Sequence, residues 1–162
     1  MKTIHIKPLT RENFAPFGDV IETDGAHHYP INRGMCERYH DMARVEIAGP
    51  AARQLISIGV SKPVTLPLEL AMVERHPLGS QAFYPLSSEP FLIVVAKDED
   101  GKPGEPSAFL TNGKQGVNYP INMWHGVLTP LDKDQGFLII DRGGDGSNLE
   151  EHFFSEKFLI VK

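Results

Sequence analysis

Apolar residues fall along the chain in short blocks, most of them alternating with polar residues, and turn-forming residues close almost every block. Strand-like patterning covers residues 19–23 (DVIET), 43–48 (ARVEIA), 55–61 (LISIGVS), 69–76 (ELAMVERH) and 81–86 (QAFYPL). It resumes at 91–97 (FLIVVAK), 107–112 (SAFLTN), 136–142 (GFLIIDR) and 157–162 (KFLIVK). These blocks are rich in β-branched and aromatic residues and have the length of strands. His5 alternates with Ile4 and Ile6 in a further N-terminal strand, which makes it a structural residue. Thirteen prolines and fifteen glycines are spread through the chain, and no long helix could cross them.

The connecting segments carry their own turn chemistry. KDEDGKPGEP reads as a hairpin tip, since Asp-Gly and Pro-Gly both supply turn geometries. Helix is expected only in small pieces. LTRENFAPF offers Thr10 as a cap and Pro16 as a stop, and NLEEHFF is expected to form a second short helix after a glycine-relaxed turn. The acidic loop DRGGDGSNLEE lacks the ligand spacing of a calcium loop. The pattern therefore predicts a mainly all-β domain over residues 1–162, an antiparallel sandwich or barrel with a few short helices.

Charge and composition narrow the function classes. Sixteen Lys and Arg against 21 Asp and Glu give a net charge of −5, which disfavours a polyanionic partner such as nucleic acid. The N-terminus has no continuous apolar stretch, and the run FLIVVA is far too short to span a bilayer, so a cytoplasmic protein without a membrane partner is expected. Cys36 is the only cysteine, so it has no intrachain disulfide partner and reads as an inert thiol.

Candidate chemistry concentrates at MVERHPLGSQAFYPL, residues 72–86. Alternation along a strand projects Glu74 and His76 to one side and Arg75 to the other. Pro77 to Gly79 allow a bend, after which Gln81 opens the next block. The spacing E-x-H-x4-Q resembles the first metal motif of cupins, H-x-H-x4-E, with Glu74 and Gln81 in place of the outer ligands. A second cupin motif ends in a histidine, matched here by His125 in GVNYPINMWHGVL. Two histidines and a carboxylate suit Ni, Mn, Fe or Zn, while Gln81 is a poorer ligand than glutamate.

Three separated motifs carry a more specific resemblance: MVERHPLGSQAFYPL, GVNYPINMWHGVL and FLIIDRGGDGSNLEEHFF, in this order and spacing. With PLTRENFAPFGDVIE upstream, the chain resembles ureidoglycolate lyases of allantoin degradation over most of its length. One departure is WHGVL where many members have W-H-H-P; His125 is kept and the second histidine is not. The resemblance implies a cupin-like β-barrel or jelly roll, a homodimer, and cleavage of (S)-ureidoglycolate to glyoxylate and urea. It also implies a divalent metal, nickel being the one suggested.

That cleavage needs a base for the carbinol hydroxyl, a cation for the carboxylate and a proton donor for the departing urea nitrogen. His125 and His76 are the leading catalytic candidates, followed by Glu74, and Glu74, His76, Gln81 and His125 form the candidate metal set. Arg33, Arg38, Arg75 and Arg142 are the candidates for the carboxylate, because a guanidinium grips it bidentately. Strand alternation counts against Arg75. Asn118 and Tyr119 could hydrogen-bond the ureido group, and His27, His28 and His152 read as surface residues. A non-catalytic small-acid binding or sensor protein, or another metal-dependent cupin enzyme, is the alternative.

Overall fold

The protein is described by a computed structural model covering residues 1–162. The first third contains β1 (Lys2–Pro8), α1 (Arg11–Phe14), β2 (Asp19–Ile21), β3 (His28–Ile31), β4 (Cys36–Tyr39) and β5 (Arg53–Ser61). The middle contains β6 (Leu68–Arg75), β7 (Gln81–Pro85), β8 (Phe91–Ala96), β9 (Asp98–Glu99) and β10 (Lys102–Pro103). The last third contains β11 (Ser107–Leu110), β12 (Gly116–Tyr119), β13 (Trp124–His125), β14 (Thr129–Pro130), β15 (Gln135–Gly143) and β16 (Glu150–Val161).

Six strands close on themselves in the order β11-β1-β16-β6-β13-β8, because β8 also pairs with β11. β1 runs parallel to both β11 and β16, so the barrel is mixed rather than wholly antiparallel. A five-stranded antiparallel sheet, β2-β12-β7-β15-β5, accompanies it. The all-β expectation holds, and no helix is long and apolar enough to cross a membrane.

β8 explains how the sheets are joined. All six of its residues are buried, the pattern of a strand covered on both faces. Phe91, Ile93 and Val95 enter one core with Phe83, Val117 and Phe137 of the five-stranded sheet and Phe14 beside α1's end. Leu92, Val94 and Ala96 enter a second core with Ile4, Leu70, Trp124 and Ile160, all from strands of the barrel.

Local signals act as expected at two places. Thr10 accepts from the Asn13 amide while the Asn13 side chain accepts from the Thr10 amide, a reciprocal cap on the one-turn helix. Asp100 and Gly101 both have positive φ and connect β9 to β10, as a two-residue hairpin requires.

Two expectations fail. Residues 43–48 form no strand, and only Ile47 makes a bridge, to Gly79. This segment is a loop whose backbone bonds both main chain and side chains: Ala48 N donates to Leu78 O, Glu46 O accepts from Ser80 N, Ser80 Oγ accepts from Glu46 N, and Asn118 donates to Arg44 O. NLEEHFF is not helical, because its residues from Glu150 onward belong to the twelve-residue strand β16, which pairs with β6 and β1. Pairing of Glu150–Phe153 with β6 overrides the local helical preference there.

Candidate active site

β6 carries Glu74 near its end, and β13 places His125 directly opposite it, with Val95 of β8 on the other side of His125. The three residues share one face, the one that meets the five-stranded sheet. His76 follows one residue after β6. One ligand atom each from Glu74, His76 and His125 lie within 4.8 Å of one another.

His125 is 1% exposed, and Tyr119 of β12 stacks on it at 4.2 Å between centroids with a 3° interplanar angle. Its Nδ1 faces the Gly126 carbonyl at 3.0 Å, and since a carbonyl only accepts, the ring proton sits on Nδ1. That turns the lone pair of Nε2 into the site, where this buried atom has no partner. Burial, the largest influence, lowers the His125 pKa to about 3 and keeps the ring neutral. Burial also raises Tyr119, with Glu74 adding to the effect. Glu74 is raised as well, chiefly by desolvation, with His76 pulling it down and Glu151 pushing it up.

His76 is gripped at both nitrogens. Nδ1 lies 2.7 Å from the carbonyl of Asn148, and Nε2 lies 3.1 Å from Oε1 of Gln81. Both neighbours are acceptors, so both hydrogen bonds form together only when the ring carries two protons. Glu74 Oε1 lies 3.8 Å from Nε2 and is the counter-charge whenever the ring carries both protons. Gln81 in turn donates Nε2–H to Asp141 Oδ2 at 3.2 Å.

The structure thus brings Glu74, His76, Gln81 and His125 together, with Tyr119 behind them, and takes three other candidates elsewhere. Arg75 lies on the opposite face of β6, its guanidinium 4.4 Å above the Trp124 ring and bonded to Glu150 and Asp98. Arg142 is buried and donates to the carbonyls of Ala48, Pro50 and Asp145. Asn118 is buried and donates to Asp19 and Arg44. All three make side-chain hydrogen bonds within the protein. Arg33 and Arg38 sit on the exposed β3–β4 ribbon, which pairs only with itself, and Arg38 donates to His40 there.

The donor set suits a metal. The orphaned Nε2 of His125 is a neutral imidazole lone pair aimed at a carboxylate and a second imidazole, the combination borderline divalent ions accept. A metal on His76 Nε2 would displace the Gln81 oxygen that now occupies it. Asp141 and Asn148 were not anticipated. The sequence pattern shows neither the β7–β15 register that brings Asp141 beside Gln81 nor the path of the loop that brings Asn148 to His76.

A His-His-carboxylate cluster between the barrel and its companion sheet fits a cupin-type metal site. Comparison with known proteins makes the class specific. The model of the family "Ureidoglycolate lyase" matches residues 1–161. A ureidoglycolate lyase of Mesorhizobium japonicum is 62% identical over 99% of this chain and 98% of its own length. "Ureidoglycolate lyase 2" of Rhizobium meliloti is 59% identical over 99% and 98%, and the ureidoglycolate lyase of a Chelativorans species is 58% identical over 99% and 97%. The chain belongs to the ureidoglycolate lyase family.

Proposed function

We propose that this protein is a lyase that cleaves (S)-ureidoglycolate to glyoxylate and urea. The observation that carries the reading is the Glu74–His76 pair, a carboxylate raised by burial 3.8 Å from an imidazole whose two nitrogens both face acceptors. Glu74 takes the proton of the carbinol hydroxyl, and the oxygen's electron pair closes the carbonyl as the carbon–nitrogen bond breaks. His76 gives its Nε2 proton to the departing urea nitrogen. Proton return from Glu74 to His76 resets the pair.

With a divalent metal bound, nickel being the one family resemblance suggests, Glu74, His76 and His125 would be its ligands in place of their proton-transfer roles. Its chemistry would be Lewis-acid stabilisation of the developing alkoxide. The neutral Nε2 of His125 presents a lone pair to whatever occupies the site. Arg33 and Arg38 are the carboxylate-binding candidates whose guanidiniums bond neither backbone carbonyls nor carboxylates, and Tyr119 walls the side facing the five-stranded sheet. Purified protein is expected to release glyoxylate and urea in equal amounts. No turnover in either chelator-treated or nickel-supplied protein would overturn the reading.

The same reading makes the protein a cytoplasmic homodimer, without nucleic-acid or membrane partners. Dimerisation is supported by β5, the edge of the five-stranded sheet, where Ile56, Ile58 and Val60 point outward at 76%, 67% and 71% exposure. Ser57, Gly59 and Ser61 take the alternate positions, so the large apolar side chains lie on the face that the core does not use. Such a stripe, on an edge strand that carries no charge after Arg53, suits self-association. Light scattering is expected to give twice the chain mass for wild type and a monomer for Ile58→Lys. A dimer that survives the substitution places the interface elsewhere.

A further inference from the structure

Gln81 stands where the metal-binding cupin motif has a ligand glutamate, yet it is tied to a carboxylate on another strand. We propose that Asp141 is a positioning residue of the site, acting on His76 through Gln81.

The direction of the chain follows from which atoms can donate. Asp141, as a carboxylate, only accepts, so at 3.2 Å it requires the NH₂ end of the Gln81 amide. That choice turns Gln81 Oε1 toward His76 Nε2 at 3.1 Å and makes the ring the donor. The flipped amide would set oxygen against carboxylate on one side. Asp141 therefore decides which end of Gln81 the imidazole meets.

Both links are held by rigid neighbours. β7 and β15 pair in register at Ala82 and Ile140, so Gln81 and Asp141 are the next cross-strand neighbours on one face. Arg142, the next residue, is anchored to three backbone carbonyls, which fixes the backbone that carries Asp141. On the far side, the Asn148 carbonyl holds Nδ1 at 2.7 Å, while Asn148 Oδ1 accepts from the Leu78 amide at 2.7 Å. The ring can turn only by losing one of its two hydrogen bonds, and its plane is set toward Glu74 and toward His125, 5.2 Å away between centroids.

A pair of substitutions separates this role from simple packing. Gln81→Glu puts a second carboxylate against Asp141, so the link breaks by repulsion. Adding Asp141→Asn restores a donor: the new amide donates to the new carboxylate, which still accepts from His76. For the lyase reaction, on which this kinetic arm rests, Gln81→Glu is expected to lower kcat by about 10–100-fold, the usual cost of removing a group that orients a functional histidine. The double variant is expected to regain at least tenfold of that, with KM changing little throughout.

The spectroscopic arm needs no turnover. Side-chain ¹⁵N spectra are expected to show the His76 Nε2 resonance displaced in Asp141→Ala and in Gln81→Glu, and returned toward its wild-type position in the double variant. A double variant no better than Gln81→Glu in both measurements overturns the proposal, as does an unchanged His76 resonance in Asp141→Ala. If wild type has no lyase activity, the functional reading fails while the spectra still decide this one. Should Gln81→Glu not fold, Asp141→Ala and Asp141→Asn carry the spectroscopic test alone.

Discussion

Glu74→Gln is expected to lower kcat by about 10²–10⁴-fold, the range for loss of a general base, while the thermal midpoint at pH 7 stays level or rises. The two halves of this result have one cause. Glu74 is held partly away from water beside Glu151, and desolvation raises its pKa, so the ionised form that the reaction needs is the form the fold disfavours. The neutral amide has the same shape and no charge to desolvate. The sign follows from linkage. A group whose folded pKa lies above its unfolded value of 4.5 favours the fold below that value and loses this contribution as pH rises through the folded pKa. The midpoint of Glu74→Gln relative to wild type should therefore be highest near neutral pH and lose its advantage toward pH 4. Steady-state kinetics and thermal melts on the same preparations check both halves. A kcat within tenfold of wild type would remove Glu74 as the base, and a fall in midpoint at pH 7 would mean that its charge stabilises the fold.

What could be read from the sequence was what depends on position along a single strand. Alternation put Glu74 and His76 on one side and Arg75 on the other, and the structure has Arg75 over Trp124, away from both. Thr10, Asp100 and Gly101 likewise acted through near neighbours. The failures are all matters of which strand lies beside which. NLEEHFF has helical composition, but β6 was there to be paired with, and pairing prevailed. Gln81 occupies the sequence position of a metal ligand, whereas its hydrogen-bond partners, His76 and Asp141, stand 5 and 60 residues away. Arginine offers the same chemistry whether the oxygen belongs to a substrate or to the protein's own backbone. Only the fold tells which oxygens are near.

Arg142 shows that difference most sharply, and Arg142→Ala is expected to destabilise the protein by about 3 kcal/mol, within the range for losing hydrogen bonds to a buried charged group. For a chain of this length that is a fall of roughly 6–12 °C in thermal midpoint. The guanidinium joins the Ala48 and Pro50 carbonyls of one loop to the Asp145 carbonyl of another, at 3.0, 3.1 and 2.7 Å. Its stem lies against Gly79, where an added Cβ would come within 2.4 Å of the Arg142 Cβ, so the backbone after His76 is shaped to this side chain. Arg142→Lys keeps the charge but has one ammonium for three diverging carbonyls, and it should recover only a minor part of the loss. The activity of Arg142→Ala is expected to fall too, and through kcat, because Asn148 follows the loop that Arg142 ties down and holds His76 Nδ1. Melting curves with substrate titrations decide between the two uses of this residue. An unchanged midpoint with a KM raised a hundredfold would return Arg142 to the substrate carboxylate. A large fall in midpoint with KM nearly constant assigns it to the loops that frame the site.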